Sequence, residues 1–309
     1  MAIVTVGSIN TDLVVRVDQF PIPGETVYGD DFATYAGGKG ANQAAAAARL
    51  GASVSMLGAV GDDVNSSARL SDLRDAGVDV SPVLVRDQTP GGVALIQVDR
   101  SGQNQIVIVP GANGTVTPED VASTLPNLVQ PGDLVLVQFE LPFETVRSAL
   151  ETTRERGARS IVNTAPYIDG TDSLLPLIDI LVVNEIEAGQ LLGRGPVSVD
   201  AAMDVVKELQ STGPSVVFAT LGASGAVILD NSSSETIPAP KVEVVDTTGA
   251  GDATVGAFAM ALGEGKSTVE AAQMAVMAGS FAVQRPGAQP SQPTRDELDR
   301  FIESHSTTA

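Results

Sequence analysis

The segment from Asp246 to Asp252, DTTGAGD, places two carboxylates at the ends of a turn that contains glycine. Apolar residues then recur at helical spacing, at Val255, Phe258, Ala259 and Leu262. The turn therefore opens into a helix. Gly249 and Gly251 leave the backbone bare, and the first amides of a helix have no intrahelical acceptor. Because such N–H groups can converge on one anion, the segment predicts an anion-binding turn beside a carboxylate.

A carboxylate next to bound negative charge suits phosphoryl transfer. The amides of residues 249–251, which are Gly249, Ala250 and Gly251, would hold the transferred phosphate, and Asp252 would take the proton of an attacking hydroxyl. An aspartate that only caps its own helix is the alternative, but a cap does not need two glycines before it. The alternating residues Val242–Val245 predict a strand upstream, so we expect a strand–turn–helix junction.

A second glycine cluster, YAGGKGANQA, spans Tyr35–Ala44. Lys39 and Asn42 offer hydrogen-bond donors near the start of an alanine-rich helix, and the glycines allow close approach of a ligand. A tight turn before a well-packed helix explains the same pattern equally well. The P-loop pattern GxxxxGK[ST] and the dinucleotide pattern GxGxxG do not occur in the sequence, which disfavours both of those folds.

Composition removes several kinds of chemistry. The chain has 309 residues, no cysteine and one histidine, His305, which we expect to be solvated in the tail. Catalysis by a Ser-His-Asp triad or by a metal on cysteine or histidine is therefore disfavoured. A formal net charge of −20 argues against a nucleic-acid or anionic-membrane partner. An anionic ligand would need local positive potential from amides, a lysine or bound cations.

The N-terminal residues MAIVTV are typical of a first strand, without the basic region of a leader, and the apolar runs are shorter than the roughly 18 residues of a membrane span. We therefore expect a cytoplasmic protein.

Short β-rich runs alternate with helical patterns, which predicts an α/β fold with a doubly wound, largely parallel sheet. Predicted strands are Ile3–Val6, Ser53–Leu57, Leu134–Val137, Ser160–Val162, Ile180–Val183, Val216–Thr220 and Ala226–Leu229. Predicted helices are Gly40–Leu50, Val64–Asp75, Phe143–Arg156, Ile186–Leu192, Ala201–Ser211, Gly251–Leu262, Thr268–Gln284 and Thr294–Glu303.

Two stretches, about residues 12–36 and 92–110, are strand-like with no helix inside them. They predict a small second sheet, which could serve as a lid, as a dimerisation surface or as both. An extension of the main sheet is the alternative.

Eight motifs occur in one order over nearly the whole chain. They are GSINTD (Gly7–Asp12), PIPGET (Pro21–Thr26), GGKGANQA (Gly37–Ala44), GDD (Gly61–Asp63), NEIE (Asn184–Glu187), TLGASG (Thr220–Gly225), DTTGAGD (Asp246–Asp252) and GAQPS (Gly287–Ser291). In this set the chain resembles the sugar kinases of the ribokinase family. The resemblance implies one ribokinase-like domain over residues 1–309. It departs at NTAP (Asn163–Pro166), where relatives often show NPAP.

The resemblance implies ATP-dependent phosphorylation of D-ribose at O5. Asp252 would be the general base and residues 249–251 the anion hole. The residues that would hold the sugar are Asn10, Thr11, Asp12, Gly38, Lys39, Gly40, Ala41, Asn42, Glu140 and Asp252. Those that would hold the nucleotide are Asn184, Thr220, Leu221, Gly222, Ala223, Ser224, Gly225, Gly251 and Val276.

The same resemblance implies two ions and a partner. Asn184 and Glu187 would hold Mg²⁺ through its water shell. A monovalent cation, K⁺ by preference, would bind at Asp246, Thr248, Ala282, Arg285, Gly287 and Ser291. A homodimer would form through the lid sheets, with Val93, Leu95, Ile106 and Ile108 at the contact.

Three alternatives stay open at this point. One is another kinase of the same family, for deoxyribose, fructose, a ketodeoxy sugar acid or a nucleoside. The second is a catalytically silent regulator that binds sugar or nucleotide on the same fold. The third is an oxidoreductase, which the absence of the dinucleotide pattern disfavours.

Overall fold

The computed structural model describes residues 1–306. Its strands are β1 Ile3–Val6, β2 Asn10–Val17, β3 Gly29–Gly37, β4 Val54–Leu57, β5 Ala59–Gly61, β6 Val78–Asp79, β7 Leu84–Arg86, β8 Gly92–Val98, β9 Asn104–Val109, β10 Leu134–Val137, β11 Arg159–Asn163, β12 Ile180–Val183, β13 Val216–Thr220, β14 Ala226–Leu229 and β15 Ser234–Ile237. Its α-helices are α1 Lys39–Arg49, α2 Val64–Asp75, α3 Pro118–Leu128, α4 Phe143–Glu155, α5 Glu185–Leu191, α6 Ala202–Gln210, α7 Ala250–Gly263, α8 Thr268–Ala282 and α9 Arg295–Ser306.

The main sheet has nine strands in the order β15-β14-β13-β12-β11-β10-β1-β4-β6. Pairing is parallel from β6 to β13, and β14 and β15 add an antiparallel edge. Alternate residues of one strand enter different cores: Ile3 belongs to the core that also contains residues of α1, α7 and α8, and Val4 belongs to the core that contains residues of α3, α4 and α6. Because both faces are covered, the central strands β10 (LVLV) and β12 (ILVV) are apolar at every position. The predicted doubly wound α/β fold is confirmed.

Helix α7, which starts at the glycine turn, lies in the centre of one helical layer. It packs against both α1 and α8, and every residue from Asp252 to Leu262 is buried. An added Cβ at Gly256 would lie 2.5 Å from the Cβ of Ala46, so glycine sets the close approach of α7 to α1. The predicted helix Gly251–Leu262 is confirmed, and its burial extends beyond the four apolar residues at helical spacing because helices cover it on more than one side.

A separate small sheet has the strand order β3-β2-β8-β9. Strand β2 pairs antiparallel with β3 and parallel with β8, so Asn10 lies opposite both Gly37 and Gly92. This arrangement confirms the predicted second sheet and excludes an extension of the main sheet. Residues of β3, β8 and β9 leave large apolar side chains in solvent: Phe32 is 63% exposed, Leu95 46%, Ile106 50% and Ile108 45%.

The strand predicted at Val242–Val245 does not form. The backbone N–H groups of Val245 and Asp246 both donate to the carbonyl of Val283, at 2.8 and 3.1 Å. Val244 and Val245 are 58% and 60% exposed. The segment is therefore attached to the end of α8 and pairs with no strand. Alternating β-branched residues form a strand only where a neighbouring strand can accept the ladder, so the predicted strand–turn–helix junction is a loop–turn–helix junction.

One helix was not predicted from the sequence, and the expectation for His305 was wrong. Helix α3 was missed because it has proline at its first position and again at Pro126, although Thr117 and Asp120 form a capping box at its start. His305 was expected in a solvated tail, but it lies in the last turn of α9, with its ring centroid 4.2 Å from that of Phe301.

None of the helices within residues 1–306 has the length and apolar character needed to cross a bilayer.

Candidate active site

The turn before α7 presents bare backbone to open space. Gly249 has a φ of 74°, and an added Cβ there would lie 2.6 Å from the Cα of Ala288. Ala250 begins the helix, and an added Cβ at Gly251 would meet no atom within 4 Å. The two glycines therefore have different roles. Gly249 is required by the fold, whereas Gly251 leaves the space in front of the helix N-terminus free.

Two cavities meet at this turn. The larger, about 600 Å³, is lined by residues that include Gly222, Ala223, Gly225, Ala250, Gly251 and Val276. The smaller, about 330 Å³, is lined by residues that include Lys39, Asn184, Glu187, Gly249, Gly251 and Asp252. Thr220, Gly222, Thr247 and Gly251 line both cavities. A ligand in one cavity would therefore meet a ligand in the other at the first turn of α7.

The carboxylate of Asp252 is held from α1 and is only 7% exposed. Its Oδ2 accepts a hydrogen bond from the Nδ2 of Asn42 at 2.9 Å, and its Oδ1 accepts one from the Nε2 of Gln43 at 3.0 Å. Burial raises its pKa, and Lys39, Asn42 and Gln43 only partly counteract that rise. A carboxylate with a raised pKa is a stronger proton acceptor than an exposed aspartate.

Lys39 lies among four carboxylates in an otherwise shielded site. Burial lowers the pKa of Lys39, but Asp252, Glu140, Glu187 and Asp12 outweigh that effect, so its pKa is raised and it stays protonated. Burial, together with the neighbouring Glu140 and Asp252, raises the pKa of Asp12 to about 7. The site is therefore rich in proton acceptors around one fixed cation, which suits the binding of a polyhydroxylated ligand.

The predicted sugar-binding residues converge beside Asp252. Asn10, Thr11 and Asp12 begin β2 and are 3%, 2% and 9% exposed. Gly38 has a φ of 89°, and an added Cβ there would lie 2.7 Å from the backbone nitrogen of Asn10. A side chain at position 38 would thus displace this part of the site.

Hydrogen bonds hold Glu140 and Asn10 in place, and the predicted sugar-binding residues Gly40 and Ala41 are buried. Glu140 follows β10, and its Oε2 accepts the backbone N–H of Lys39 at 3.0 Å and the Oγ–H of Ser8 at 2.5 Å. Gly40 and Ala41 are buried in the first turn of α1. The Oδ1 of Asn10 accepts a hydrogen bond from Asn113 at 2.7 Å.

The predicted Mg²⁺ pair, Asn184 and Glu187, forms a capping box on α5. The Oδ1 of Asn184 accepts the N–H of Glu187 at 2.8 Å, and the Oε2 of Glu187 accepts the N–H of Asn184 at 2.9 Å. Burial raises the pKa of Glu187 to about 7. The two side chains therefore cap the N-terminus of α5, and both residues also line the smaller cavity. An oxygen-rich wall of this kind fits a hydrated Mg²⁺ held through water.

The TLGASG motif forms a tight turn at the end of β13. Leu221 is buried; its N–H donates to Gly225, and Ser224 donates back to Leu221. Gly222, Ala223 and Gly225 line the larger cavity together with Val276 of α8, and Thr220 lies at the junction. This cavity has the apolar floor and bare backbone that suit a nucleotide.

Most of the predicted monovalent-cation residues lie on two loops that Asp246 joins, and Ala282 is the last residue of α8. Its Oδ1 accepts the N–H of Thr248 at 2.9 Å, and its Oδ2 accepts the N–H of Gly287 at 2.8 Å. Burial works against ionisation, but these backbone donors outweigh it and hold the pKa of Asp246 below its usual value. A charged carboxylate among loop carbonyls fits a monovalent cation.

The other predicted cation ligands, Ala282, Arg285 and Ser291, take part in hydrogen bonds with nearby residues. The carbonyl of Ala282 accepts the N–H of Arg285 at 3.1 Å, while the guanidinium of Arg285 points to Glu297. The hydroxyl of Ser291 donates to Ala288 at 2.9 Å. Within residues 1–306, no three His, Cys, Asp or Glu side chains are grouped to hold a metal.

Sequence reasoning missed Gln43 and Gln289. Gln43 contacts Asp252 directly, and the Nε2 of Gln289 donates to the Oδ1 of Asn42 at 3.1 Å. Both lie inside motifs, GGKGANQA and GAQPS, so the signal was present. Their partners lie 209 and 247 positions away, which local patterns cannot show.

A buried carboxylate at a helix N-terminus, where two cavities meet above a doubly wound sheet, has the chemistry that phosphoryl transfer to a small hydroxylated substrate requires. The family model described as pfkB family carbohydrate kinase matches residues 2–295, so the chain belongs to that family of carbohydrate kinases.

Relatives of this chain agree over nearly their full length. A ribokinase of Haemophilus influenzae is 37% identical over 297 residues, covering 96% of this chain and 97% of the relative. A deoxyribokinase of Salmonella typhi is 33% identical over 303 residues, covering 98% and 99%. The structure of Arabidopsis thaliana ribokinase complexed with ribose and ATP superposes with a TM-score of 0.88 at 32% identity, covering 98% of each chain. The predicted family and ribokinase-like fold are confirmed.

Proposed function

We propose that this carbohydrate kinase transfers the γ-phosphate of ATP to the O5 hydroxyl of D-ribose, giving D-ribose 5-phosphate and ADP. The observation that carries the proposal is the place of Asp252 and Gly251, where a polar pocket meets a larger cavity with an apolar floor. The ribokinases among the relatives support ribose as the acceptor.

In the proposed reaction, ribose lies against Asn10, Asp12 and Glu140, with its O5 hydroxyl beside Asp252. The carboxylate of Asp252 takes the hydroxyl proton while the oxygen attacks the γ-phosphorus, and the bond to the β,γ-bridging oxygen breaks. The amides of residues 249–251 and the ammonium of Lys39 stabilise the charge on the transferred group. The raised pKa of Asp252 supports this assignment, because it strengthens the base.

Two ions complete the proposal. Mg²⁺, bound with ATP and held through water by Asn184 and Glu187, would neutralise charge on the phosphates. K⁺ beside Asp246 would add positive potential next to the anion-binding turn of a chain whose formal net charge is −20. Thr220, Gly222 and Val276 would contact the nucleotide.

The small sheet is proposed to act as a lid within a single domain over residues 1–309. It carries Asn10 and Asp12 at one end of β2 and would exclude water when ribose binds. Its exposed apolar side chains are proposed to form a homodimer. Ile106 and Ile108 lie on one face of β9, and Leu95 of β8 lies on the opposite face beside its pair Val107. Sedimentation that shows only monomer at micromolar concentration would overturn the dimer. We propose the cytoplasm as its location, because both ATP and free sugars are available there.

A substrate panel tests the proposed acceptor. With Mg-ATP, we expect kcat/KM for D-ribose to exceed the values for 2-deoxyribose, fructose, a ketodeoxy sugar acid and a nucleoside by at least about 10-fold, which corresponds to about 1.4 kcal/mol. Replacing K⁺ by tetramethylammonium should lower the ribose rate. ADP release measured by a coupled assay gives both results. A higher value for 2-deoxyribose would assign the deoxyribokinase activity instead, and no ADP release with any sugar would favour a silent regulator.

Asp12 gives a test that depends on pH. Its pKa is about 7 in the folded protein against 3.8 for the ordinary group, so the folded state holds the proton more tightly. The folded protein therefore loses stability from this group as pH rises from about 4 to 7. Asp12→Asn should stabilise the ligand-free protein at pH 8 by up to about 4 kcal/mol and leave it nearly unchanged at pH 4.

Thermal unfolding of the variant and the wild type at the two pH values measures this difference. The same variant should raise the KM for ribose at pH 8, because the amide loses an acceptor oxygen. A stability difference that is equal at pH 4 and pH 8 would contradict the burial of an ionisable Asp12.

A further inference from the structure

We propose that Gln43 is a positioning residue, which orients the carboxylate of Asp252 through a chain of buried amide side chains. The inference rests on the proposed role of Asp252 as general base. Gln43 lies next to Asn42 in α1, and it is separated from Asp252 by 209 positions in the sequence. Its contact with the base is therefore a product of the packing of α1 against α7.

The amide of Gln43 is fully enclosed, with 0% exposure. Its Nε2 donates to the Oδ1 of Asp252 at 3.0 Å and to the Oδ1 of Asn163 at 3.1 Å. Its Oε1 accepts from the Nε2 of Gln138 at 2.6 Å. Both N–H hydrogens of the amide thus have acceptors, so the side chain has one hydrogen-bonding arrangement that satisfies all of its polar atoms.

A backbone carbonyl fixes the direction of this chain. The Nδ2 of Asn163 donates to the carbonyl of Val182 at 3.3 Å, and a carbonyl can only accept. Asn163 must therefore turn its Oδ1 towards Gln43, and Gln43 must answer with its Nε2. An N–H group, never an oxygen, is consequently presented to Asp252. The sheet thereby sets the polarity of the contact at the base.

Gln138 holds the other end of the amide. It follows β10, two positions before Glu140, and is 0% exposed. An added Cβ at Gly7 would lie 2.1 Å from the Oε1 of Gln138, so glycine at the end of β1 makes room for this side chain. The side chain of Gln138 therefore explains the glycine at position 7 of the GSINTD motif without any contact between Gly7 and a sugar.

The two oxygens of Asp252 receive one amide donor each, from Gln43 and from Asn42. Two donors fix the plane of the carboxylate and leave its other lone pairs for the substrate hydroxyl. Asn42 is itself held by Gln289. Gln43 differs from Asn42 because it lies on the side towards the sheet and has no predicted contact with the sugar.

The test is the pH dependence of kcat at saturating ribose and ATP in Gln43→Met and Gln43→Glu, because kcat/KM would also report Asp12 of the free enzyme, whose pKa is about 7. The methionine removes a donor that favours the ionised base, so the acid limb should move to higher pH by about 0.5 to 1 unit. The nearly isosteric glutamate places a second carboxylate beside Asp252 and should move the limb further. In both variants kcat on the plateau should fall by about 10- to 100-fold through misorientation, with the KM for ATP within about 3-fold of the wild type.

Gln292→Met is the matched control. Gln292 is also a buried glutamine that bonds α1, through the carbonyl of Asn42 at 2.9 Å, but it does not touch Asp252. Its substitution should leave the acid limb in place. If Gln43→Met does not fold, Gln43→Glu decides. If neither folds, Gln138→Met decides, because it frees the far end of Gln43 and should shift the limb in the same direction.

An unshifted limb with plateau kcat within about 3-fold of the wild type in the folded variants would overturn the inference. The two assignments can fail separately. An Asp252→Asn enzyme that keeps its activity would disprove the general-base role of Asp252. An inactive Asp252→Asn enzyme together with normal Gln43 variants would disprove only the positioning role of Gln43.

Discussion

Asp252→Asn is expected to lower kcat for ribose phosphorylation by about 10²- to 10⁴-fold, the range that a positioned general base contributes. The amide has nearly the same shape as the carboxylate but cannot take the hydroxyl proton. The KM for ATP should change by less than about 3-fold, since the larger cavity is lined by other residues, such as Gly222 and Val276. Steady-state and single-turnover measurements with ribose and ATP give these values.

The effect on stability should be small, because two changes oppose each other. Removing a buried charge stabilises the fold, whereas asparagine has one acceptor oxygen for the two donors Asn42 and Gln43. Asp204→Asn on the exposed face of α6 is the control and should leave kcat unchanged; the Asp204 side chain is 87% exposed. Near-normal turnover in Asp252→Asn would rule out the base assignment.

Gly251→Ala should produce an active-site defect in a protein that is at least as stable as the wild type. An added Cβ at Gly251 meets no protein atom within 4 Å, so the fold accepts it. Alanine is favoured over glycine within a helix by roughly 0.5 to 1 kcal/mol, which should raise the melting temperature. The methyl group would project towards the space where the proposed phosphate approaches the amides, and kcat should fall by about 10²- to 10³-fold.

Gly263→Ala is the matched control for this experiment. Gly263 ends the same helix, and an added Cβ there would meet only the carbonyl of Met1 at 3.7 Å, an ordinary contact. It should leave kcat unchanged. Gly251→Ala with normal kcat would show that no ligand approaches the helix N-terminus at this residue, and the proposed anion hole would fail. The comparison separates the loss of space for a ligand from a general effect of alanine in α7.

Both predictions concern a site in which a cation is enclosed by acceptors. Lys39 lines the smaller cavity together with the carboxylates of Asp252, Glu185 and Glu187. In a chain with a formal net charge of −20, this ammonium and the amides of the α7 N-terminus supply the local positive potential that a triphosphate requires. The raised pKa of Lys39 keeps that charge in place over the neutral pH range.

Much of the fold was predictable because its signals are local. The runs Leu134–Val137 and Ile180–Val183 are strands with the predicted bounds, since a strand covered on both faces is apolar at every position. Val242–Val245 shows the limit of the same reasoning. Its alternation is equally clear, but it has no neighbouring strand and is attached to Val283. Proline at the start and inside of α3 hid a helix that its capping box could have indicated.

The features of the candidate active site also fall into two groups: those that depend on neighbouring residues in the sequence and those that depend on distant contacts. The local chemistry follows from the amino-acid sequence: a glycine turn that opens a helix at Asp252, a lysine between glycines at position 39, and the family that these motifs indicate. Those features depend on residues a few positions apart, whose conformational preferences are properties of the chain. Packing between distant elements is what brings Gln43, Gln138 and Asn163 into one chain of amides behind Asp252 and gives Gly249 and Gly251 different roles. Contacts between residues some hundred to two hundred positions apart depend on how helices and sheet pack, because burial and hydrogen bonding across elements are collective properties of the fold.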